Sequence, residues 1–158
     1  MEQVQILMKN AENTIRILAD KYIWEEFTKQ PLLQETALKA LNKNVKLYGI
    51  MPTSIEVNKL SRGAIEIVSN KNMIVRFIED KEIFHTIAIG DEDMVGFSFK
   101  DPKTQKVVSG MAIQDELLTR GTIDYFTRVW NSSLPVENTV REEAKKALQQ
   151  IENSNIKN

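Results

Sequence analysis

The sequence predicts an α/β protein with one layered sheet of mixed parallel and antiparallel strands, helices on both faces, and a further C-terminal helix. Three observations predict it. Helix-like and strand-like segments alternate through the first half, which is typical of a layered α/β sheet. Four strand-like runs with polar turns follow from residue 73, and helical periodicity then returns. The 158 residues suffice for one domain with a single sizeable core.

The N-terminal segment begins with a helix and then a strand. Helical spacing of apolar residues predicts a helix over residues 2–13, and the alternation of Ile15, Ile17 and Ala19 predicts a strand over 14–19 that Asp20 ends. The same reasoning predicts three further elements: a helical region from Tyr22 to Phe27, a helix opened by Pro31 that ends at 42–44, and a strand over 45–50 closed by Met51 and Pro52.

The segment after Pro52 contains a capping-box pattern. Thr53 and Glu56 have the spacing at which a threonine accepts from a first-turn N–H while the glutamate reaches back. This pattern predicts a helix that starts near residue 53 and runs to Val68. The alternation of Ile65 and Ile67 leaves a strand open as an alternative for its second half.

The second half changes period and then returns to helices. The four strand-like runs cover residues 73–78, 83–89, 94–99 and 107–113, and a helix follows from Leu118 to about 132. A last helix after Pro135 has an apolar stripe, formed by Val136, Val140, Ala144, Ala147 and Ile151. We therefore expect an α/β domain over 1–135 and an amphipathic helix with a frayed tail over 136–158. That helix either docks on its own domain or forms a homodimer.

Composition excludes several classes of protein. The formal net charge of −1 gives no overall field that would attract nucleic acid or an anionic membrane, so we expect neither as a direct partner. No apolar run approaches the roughly 18 residues that span a bilayer, and the N-terminus does not resemble a signal peptide. There is no cysteine, so disulfide and thiolate chemistry are excluded and a cytoplasmic location is expected.

The segment from His85 to Asp101 resembles the active-site strand pair of phospholipase-D-type enzymes. Their pattern is His-x-Lys-x-x-x-x-Asp on one strand, followed by a turn and a strand reading roughly Gly-Ser-x-Asn. Here His85 opens the run, Asp91 falls near the acidic position, and residues 96–99 resemble the second strand. Ile87 stands at the position of the lysine, which in that chemistry stabilises charge on the phosphoryl oxygens. The resemblance implies the fold and argues against the reaction.

The segments that follow resemble the effector domains of archaeal TrmB-type transcription regulators, which share the phospholipase-D-like fold. The resemblance is in residues 108–115 and 123–135, including the Phe-x-x-x-Trp pattern formed by Phe126 and Trp130. With the order of the earlier elements it spans about residues 2–135. The winged-helix DNA-binding domain of those regulators has no counterpart here, and their sugar-binding residues do not map onto this sequence.

Together these features predict a catalytically degenerate, non-catalytic regulatory domain that senses an unidentified small molecule or protein. The rival interpretation is a phosphodiesterase or nuclease that uses His85 with a lysine from elsewhere. The expected ligand cleft lies at the carboxyl ends of the first two strands. Its candidate residues are Asp20, Met51, Thr53, Ser54 and His85. No motif predicts a catalytic set, a metal site or a cofactor.

Several other residues have two interpretations each. The acidic turn over 91–93 is either a solvated hairpin or a divalent-cation site. Trp24 and Trp130 are either core anchors or platforms for ligand stacking. Three arginines have the same ambiguity between surface ion pairing and binding of an anionic ligand: Arg62, Arg76 and Arg120.

Overall fold

A computed structural model describes residues 2–83, 86–101, 103–104 and 107–156. The α-helices of this part of the chain are α1 (Glu2–Asn10), α2 (Lys21–Thr28), α3 (Pro31–Asn42), α4 (Arg62–Ser69), α5 (Glu116–Ser132) and α6 (Glu137–Ile156). The strands are β1 (Thr14–Leu18), β2 (Lys46–Pro52), β3 (Met73–Ile78), β4 (Thr86–Gly90), β5 (Met94–Lys100), β6 (Val107–Gln114) and β7 (Leu134–Pro135). Short 3-10 turns lie at Val57–Lys59 and Asp80–Glu82.

The strands form one sheet in the order β6-β5-β4-β1-β2-β3-β7. β1, β2 and β3 are parallel, whereas β4 runs antiparallel to β1 and continues through β5 and β6 as a meander. The predicted mixed sheet is therefore confirmed. Because Leu18 pairs with Ile87, β4 begins at the edge where β1 ends. The carboxyl ends of three strands and the start of a fourth thus meet at one edge of the sheet.

Helices cover both faces of the sheet, as predicted, but unequally. On one face, α1, α2, α3, α4 and α6 enclose the larger core, which includes Ile15 of β1 and Ala19 just after that strand. On the other face a smaller core contains Leu18, Ile50 and Phe126, the last from α5. The switch from one core to the other along β1 follows from the alternation of side chains along a strand.

The capping-box prediction is wrong. Pro52 does not close the strand: it pairs with Ile78, and the Thr53 N–H still donates to the Ile78 carbonyl at 2.9 Å. The helix begins only at Arg62, where the Ser61 hydroxyl accepts from the Ala64 N–H at 3.4 Å. Since proline lacks only the N–H, it is tolerated at a strand end where no ladder donor is needed.

The other boundaries differ in smaller ways. Ile65 and Ile67 both lie in α4 and are buried, so the alternative strand is excluded. Both can face apolar neighbours because α4 packs against the sheet and three other helices rather than on one side only. α1 ends at Asn10 rather than residue 13, since the N–H groups of Glu12 and Asn13 bind the Asp91 carboxylate instead of continuing the helix.

The C-terminal helix α6 docks on its own chain. Val140, Ala144 and Ala147 are buried in the larger core, and the Arg141 guanidinium donates to the Met73 carbonyl at 3.1 Å. The outward face is polar, with exposed residues such as Glu142 and Lys145. Self-association through α6 stays a prediction, and it would have to use this polar face.

No helix in the described ranges is both long enough and apolar enough to cross a membrane.

Candidate functional site: the carboxyl edge of the sheet and the cavity beside it

Two of the predicted ligand residues form local backbone contacts at the carboxyl edge. Asp20 follows β1 and caps α2, since its carboxylate accepts from the Ile23 N–H at 3.0 Å. Thr53 follows β2 and extends the ladder to the Ile78 carbonyl. Both lie where the sequence predicts them, beyond the ends of adjacent parallel strands. Their visible contacts explain the path of the chain and do not require a ligand.

The other three predicted ligand residues have different surroundings. Ser54 meets Asp80, whose carboxylate accepts from the Ser54 hydroxyl at 2.5 Å and from its N–H at 3.3 Å. Met51 is fully buried beneath the edge, so only a ligand that enters the core would touch it. His85 lies outside the described residues. The structure therefore brings Asp20, Thr53 and Ser54 to one edge and places Met51 below it.

Ile87 occupies the position at which the phospholipase-D pattern has its lysine. Its side chain is 2% exposed and belongs to the smaller core with Leu18 and Ile50. An ammonium group in these surroundings would lose its hydration without gaining a partner. The position has therefore become part of the apolar core.

Three lysines near the ends of β1, β2 and β3 lie beside carboxylates. Lys59 is 2.7 Å from Glu56 and Lys81 is 2.7 Å from Glu79. Lys21 lies 3.9 Å from Glu25 on the first turns of α2. These exposed pairs contribute little to stability, but the charge of each of these three lysines is offset by its neighbouring carboxylate.

A cavity of about 40 Å³ lies between α1 and α2 on one side and β1, β4 and β5 on the other. Its walls are mostly apolar and come from both the helices and the sheet. The lining residues nearest the helices are Val4, Met8, Ile23, Trp24 and Phe27. Ile17 points into it and is partly exposed, although β1 is a central strand of the sheet. The helices thus leave a gap through which the middle of the sheet meets solvent.

Thr86 supplies the buried polar group of this cavity. The residue is 9% exposed, and its Oγ1 has no hydrogen-bond partner among the described residues. Ser98 lies directly opposite on β5 and also lines the cavity. A buried hydroxyl without a partner is uncommon in folded proteins, because its desolvation is not compensated. Thr86 therefore marks this cavity as chemically different from the rest of the core.

The sequence interpretation did not identify this cavity. One signal was present: Thr86 is polar within the strand 86–90, at an alternating position that shares its face with buried Ala88. Trp24 was expected to be either a core anchor or a stacking platform, and it lines the cavity while its indole N–H donates to the Ile50 carbonyl at 3.4 Å. The gap itself depends on the placement of two helices, which no local pattern encodes.

The opposite face of the sheet has an open apolar groove between α5 and strands β4 to β6. Phe97, Ile113 and Leu118 line it, and Leu117 at its rim is 81% exposed. Two of its polar side chains bind the backbone of α5: the Thr122 hydroxyl donates to the Leu118 carbonyl, and the Asp115 carboxylate accepts from the Leu118 N–H. Tyr125 also lines the groove, whose surface is otherwise mostly apolar.

Trp130 and Arg76 together fix the end of α5. The guanidinium carbon of Arg76 lies 4.8 Å from the Trp130 ring centroid, and its Nη1 donates to the Trp130 carbonyl at 2.7 Å. Tyr48 and Phe126 pack against the same ring at 5.5 and 5.7 Å. Trp130 is thus an anchor of the smaller core. A cation at a helix C-terminus also interacts favourably with the helix dipole.

The other two arginines form surface ion pairs. Arg62 is 2.9 Å from Glu66, and Arg120 is 3.9 Å from Glu116. Both pairs lie one helical turn apart on exposed helix faces, which is the interpretation that ion pairing predicted.

Asp91 in the acidic turn is an anchor for the backbone. Its carboxylate accepts from the N–H groups of Glu12, Asn13 and Thr14 at 2.7, 2.9 and 2.8 Å. Partial burial by itself raises the pKa of Asp91, but these backbone bonds and the nearby Arg16 outweigh it and hold the pKa below its usual value. Among the described residues, no group of three or more acidic or histidine side chains has the geometry to hold a metal ion.

No protein-family model matches the sequence, and no curated protein does either. Solved structures do match. TrmBL2, an archaeal chromatin protein described with a novel mode of DNA binding, aligns with a TM-score of 0.65 at 16% identity over 85% of this chain. The present chain spans about half of TrmBL2, since the alignment covers 50% of that chain.

Two further matches are enzyme-related. Nuc from Salmonella typhimurium, a phospholipase D family member, aligns with a TM-score of 0.61 at 15% identity, over 82% of this chain and 86% of Nuc. Phosphatidylserine synthase from Haemophilus influenzae aligns with a TM-score of 0.54 at 10% identity, over 98% of this chain and 42% of that one. At these identities the comparisons establish architecture, and the chain has the phospholipase-D-like α/β fold.

Proposed function

We propose that this protein is a non-catalytic binding domain of a regulatory system, and that it uses a phospholipase-D-like scaffold without phosphodiesterase chemistry. The observation that carries the proposal is the burial of Ile87, 2% exposed, within an apolar cluster at the position of the expected lysine. Phosphoryl transfer needs positive charge at the oxygens where negative charge develops. The smaller core occupies that position instead.

The charges around the edge support the same proposal. Asp20 caps α2 and Asp80 binds Ser54, while the lysines near them lie beside carboxylates. A phosphodiester is an anion, and steering it to a site requires a field of the opposite sign. The paired charges near the ends of β1, β2 and β3 favour a neutral ligand there over an anion.

The likeness of fold to a chromatin protein supports the regulatory part of the proposal. TrmBL2 is a chromatin protein, and this chain matches about half of it. A domain that binds a ligand and lacks an output activity regulates by shifting an equilibrium in a partner or in a second copy. Unlike fold, such a role has to be argued from the site.

The test is an assay of phosphodiester hydrolysis on a generic chromogenic substrate, with the purified wild-type chain and the His85→Ala variant. A phospholipase-D-type enzyme assayed in parallel establishes the sensitivity. We expect both forms of this protein to be indistinguishable from the buffer background. Turnover by the wild type that disappears in His85→Ala would overturn the proposal in favour of a phosphodiesterase with an altered site.

A further inference from the structure

We infer that the cavity beside Thr86 is the ligand pocket of this domain, and that it takes a small neutral molecule with an apolar body and one hydrogen-bonding group. The inference deepens the proposed function and rests on it. Two independent observations carry it: an apolar gap that reaches a central strand, and the Thr86 hydroxyl, which belongs to a residue nine-tenths buried at that gap and has no partner within the described part of the chain.

The walls define the chemistry of the ligand. Met8, Ile23, Trp24 and Phe27 present carbon and sulfur surface, so a charged group there would be desolvated without compensation. The Thr86 hydroxyl both donates and accepts, so it pairs with either a hydroxyl or a carbonyl. A bond to the ligand would satisfy a group that now has no partner. Hydroxyl recognition of this kind gives specificity, because a ligand without the polar group leaves Thr86 unsatisfied.

The dimensions limit the size of the ligand. The cavity of about 40 Å³ exceeds the roughly 10–15 Å³ that admit one water, and it is smaller than the ~150 Å³ engineered cavity that binds benzene. The fit is therefore to a short alkyl or similarly small group. Access is from the side where Val4, Ile17 and Ser98 are partly exposed, so a longer chain projects outward there.

The open groove on the other face is a weaker candidate for a specific small-molecule site. It is wider, with about 660 Å³ of space, and two of its polar side chains, Thr122 and Asp115, already bind the backbone of α5. Pockets that select small molecules combine apolar walls with a few available polar groups. The Thr86 cavity combines apolar walls with a buried hydroxyl that has no partner among the described residues.

The methionines provide the measurement. The side chains of Met8 and Met73 line the cavity, whereas Met111 lies on β6, is 44% exposed and does not. The full-length protein with ¹³C-labelled methionine methyl groups is titrated with 1-butanol and, separately, with butyrate of the same carbon number. We expect 1-butanol to cause saturable chemical-shift changes at the methyl groups of Met8 and Met73, and we expect butyrate to change neither signal.

Two variants test the pocket itself. Thr86→Val keeps the shape and removes the hydroxyl, so the 1-butanol affinity should fall about 3- to 10-fold, which is the worth of one neutral hydrogen bond. Gly96→Ala adds a methyl group at the cavity wall, whose nearest neighbours would lie at 3.7 Å, so the fold should tolerate it while the space decreases. Melting curves of both variants check that they fold.

Three results would overturn the inference: no saturable shift at Met8 and Met73, equal shifts at Met111, or unchanged affinity in Thr86→Val. None of these results contradicts the non-catalytic function, provided that neither the wild type nor His85→Ala hydrolyses the phosphodiester substrate above background. Conversely, turnover that depends on His85 rejects the proposed function whatever the methionine spectra show. The failures of the two proposals are therefore distinguishable.

Discussion

At the scale of single residues, Asp91 joins two distant parts of the chain. It adopts φ 47°, in the left-handed region, and its carboxylate collects three backbone N–H groups at the turn between α1 and β1. Asp and Asn tolerate this conformation better than other residues with a Cβ. Asp91→Asn therefore keeps the backbone geometry, but it removes the charge and replaces one acceptor oxygen with an NH2 group, so it weakens these bonds.

We expect Asp91→Asn to lower the free energy of unfolding at pH 7 by about 1–2 kcal/mol, since hydrogen bonds to a charged group are stronger than neutral ones. The folded-state pKa of Asp91 lies below the ordinary value of an aspartate, so this stabilisation is present above that ordinary value and is lost as the pH falls through the lowered pKa. Urea denaturation from pH 7 down to pH 2 should show the two proteins converging in acid.

The control is Glu92→Gln, a change at the exposed neighbour in the same turn. It should leave stability within about 0.5 kcal/mol at every pH. A constant difference between wild type and Asp91→Asn from neutral to acid would contradict the electrostatic account.

The sequence indicates some of these residues and not others. It identifies Ile87 as an apolar residue where a lysine is expected, because that comparison needs only a motif. Its burial beside Leu18 and Ile50 required the pairing of β4 with β1. The sequence does not identify Thr86, one residue earlier, as a site residue, because a single hydroxyl in a strand has no diagnostic pattern. Whether it has a partner depends on the elements packed above it.

At the scale of elements, α2 is positioned by its N-cap. Asp20 accepts from the Ile23 N–H at the start of a helix that carries Ile23, Trp24 and Phe27 into the core. The same residue is a predicted ligand contact, so the two roles need to be separated. A cap role depends on side-chain geometry, whereas a ligand role depends on the presence of the ligand.

We expect Asp20→Ala to lower the free energy of unfolding by about 1 kcal/mol, because one N-terminal N–H loses its acceptor. Asp20→Asn should lower the free energy of unfolding by only about a few tenths of a kcal/mol, since asparagine is an equally good N-cap. The measurement is the urea midpoint of the ligand-free protein. If both substitutions cost the same, then the charge rather than the cap is what the fold uses at this position.

Elements were predicted best where one local signal dominates. Pro31 and the spacing of Leu33, Ala37 and Leu41 predict the helix that α3 confirms. The pattern at Thr53 and Glu56 failed because the chain there was already committed to β2 and to its partner β3. A capping box only satisfies N–H groups that a helix leaves open, so it cannot start a helix where the ladder continues. Ser61 performs that role instead.

At the scale of the whole molecule, α6 completes the larger core and is not an appendage. Val140, Ala144 and Ala147 pack with the buried residues of α4, and Arg141 binds the backbone of β3. We expect a chain without residues 137–158 to melt at a clearly lower temperature and to bind a hydrophobic dye, because the apolar surface under α6 becomes exposed.

The matched control removes residues 153–158 alone and leaves the buried positions of α6 intact. It should melt like the full chain. Light scattering on all three proteins also addresses self-association: an identical monomeric mass for the full chain and the short truncation would exclude a dimer through the tail. An unchanged melting temperature in the long truncation would show that α6 does not contribute to the core.

The sequence by itself determined the class of this protein, because period, charge and the substituted motif are local properties. It predicted the mixed sheet, the helices on both faces, and the loss of the lysine at Ile87. Tertiary structure alone decided how far β2 extends, where α6 docks, and that α1 and α2 leave a gap above Ile17 and Thr86. The physical reason is that a cavity is a property of elements that meet across space. The local sequence around a residue does not indicate which distant elements leave space beside it.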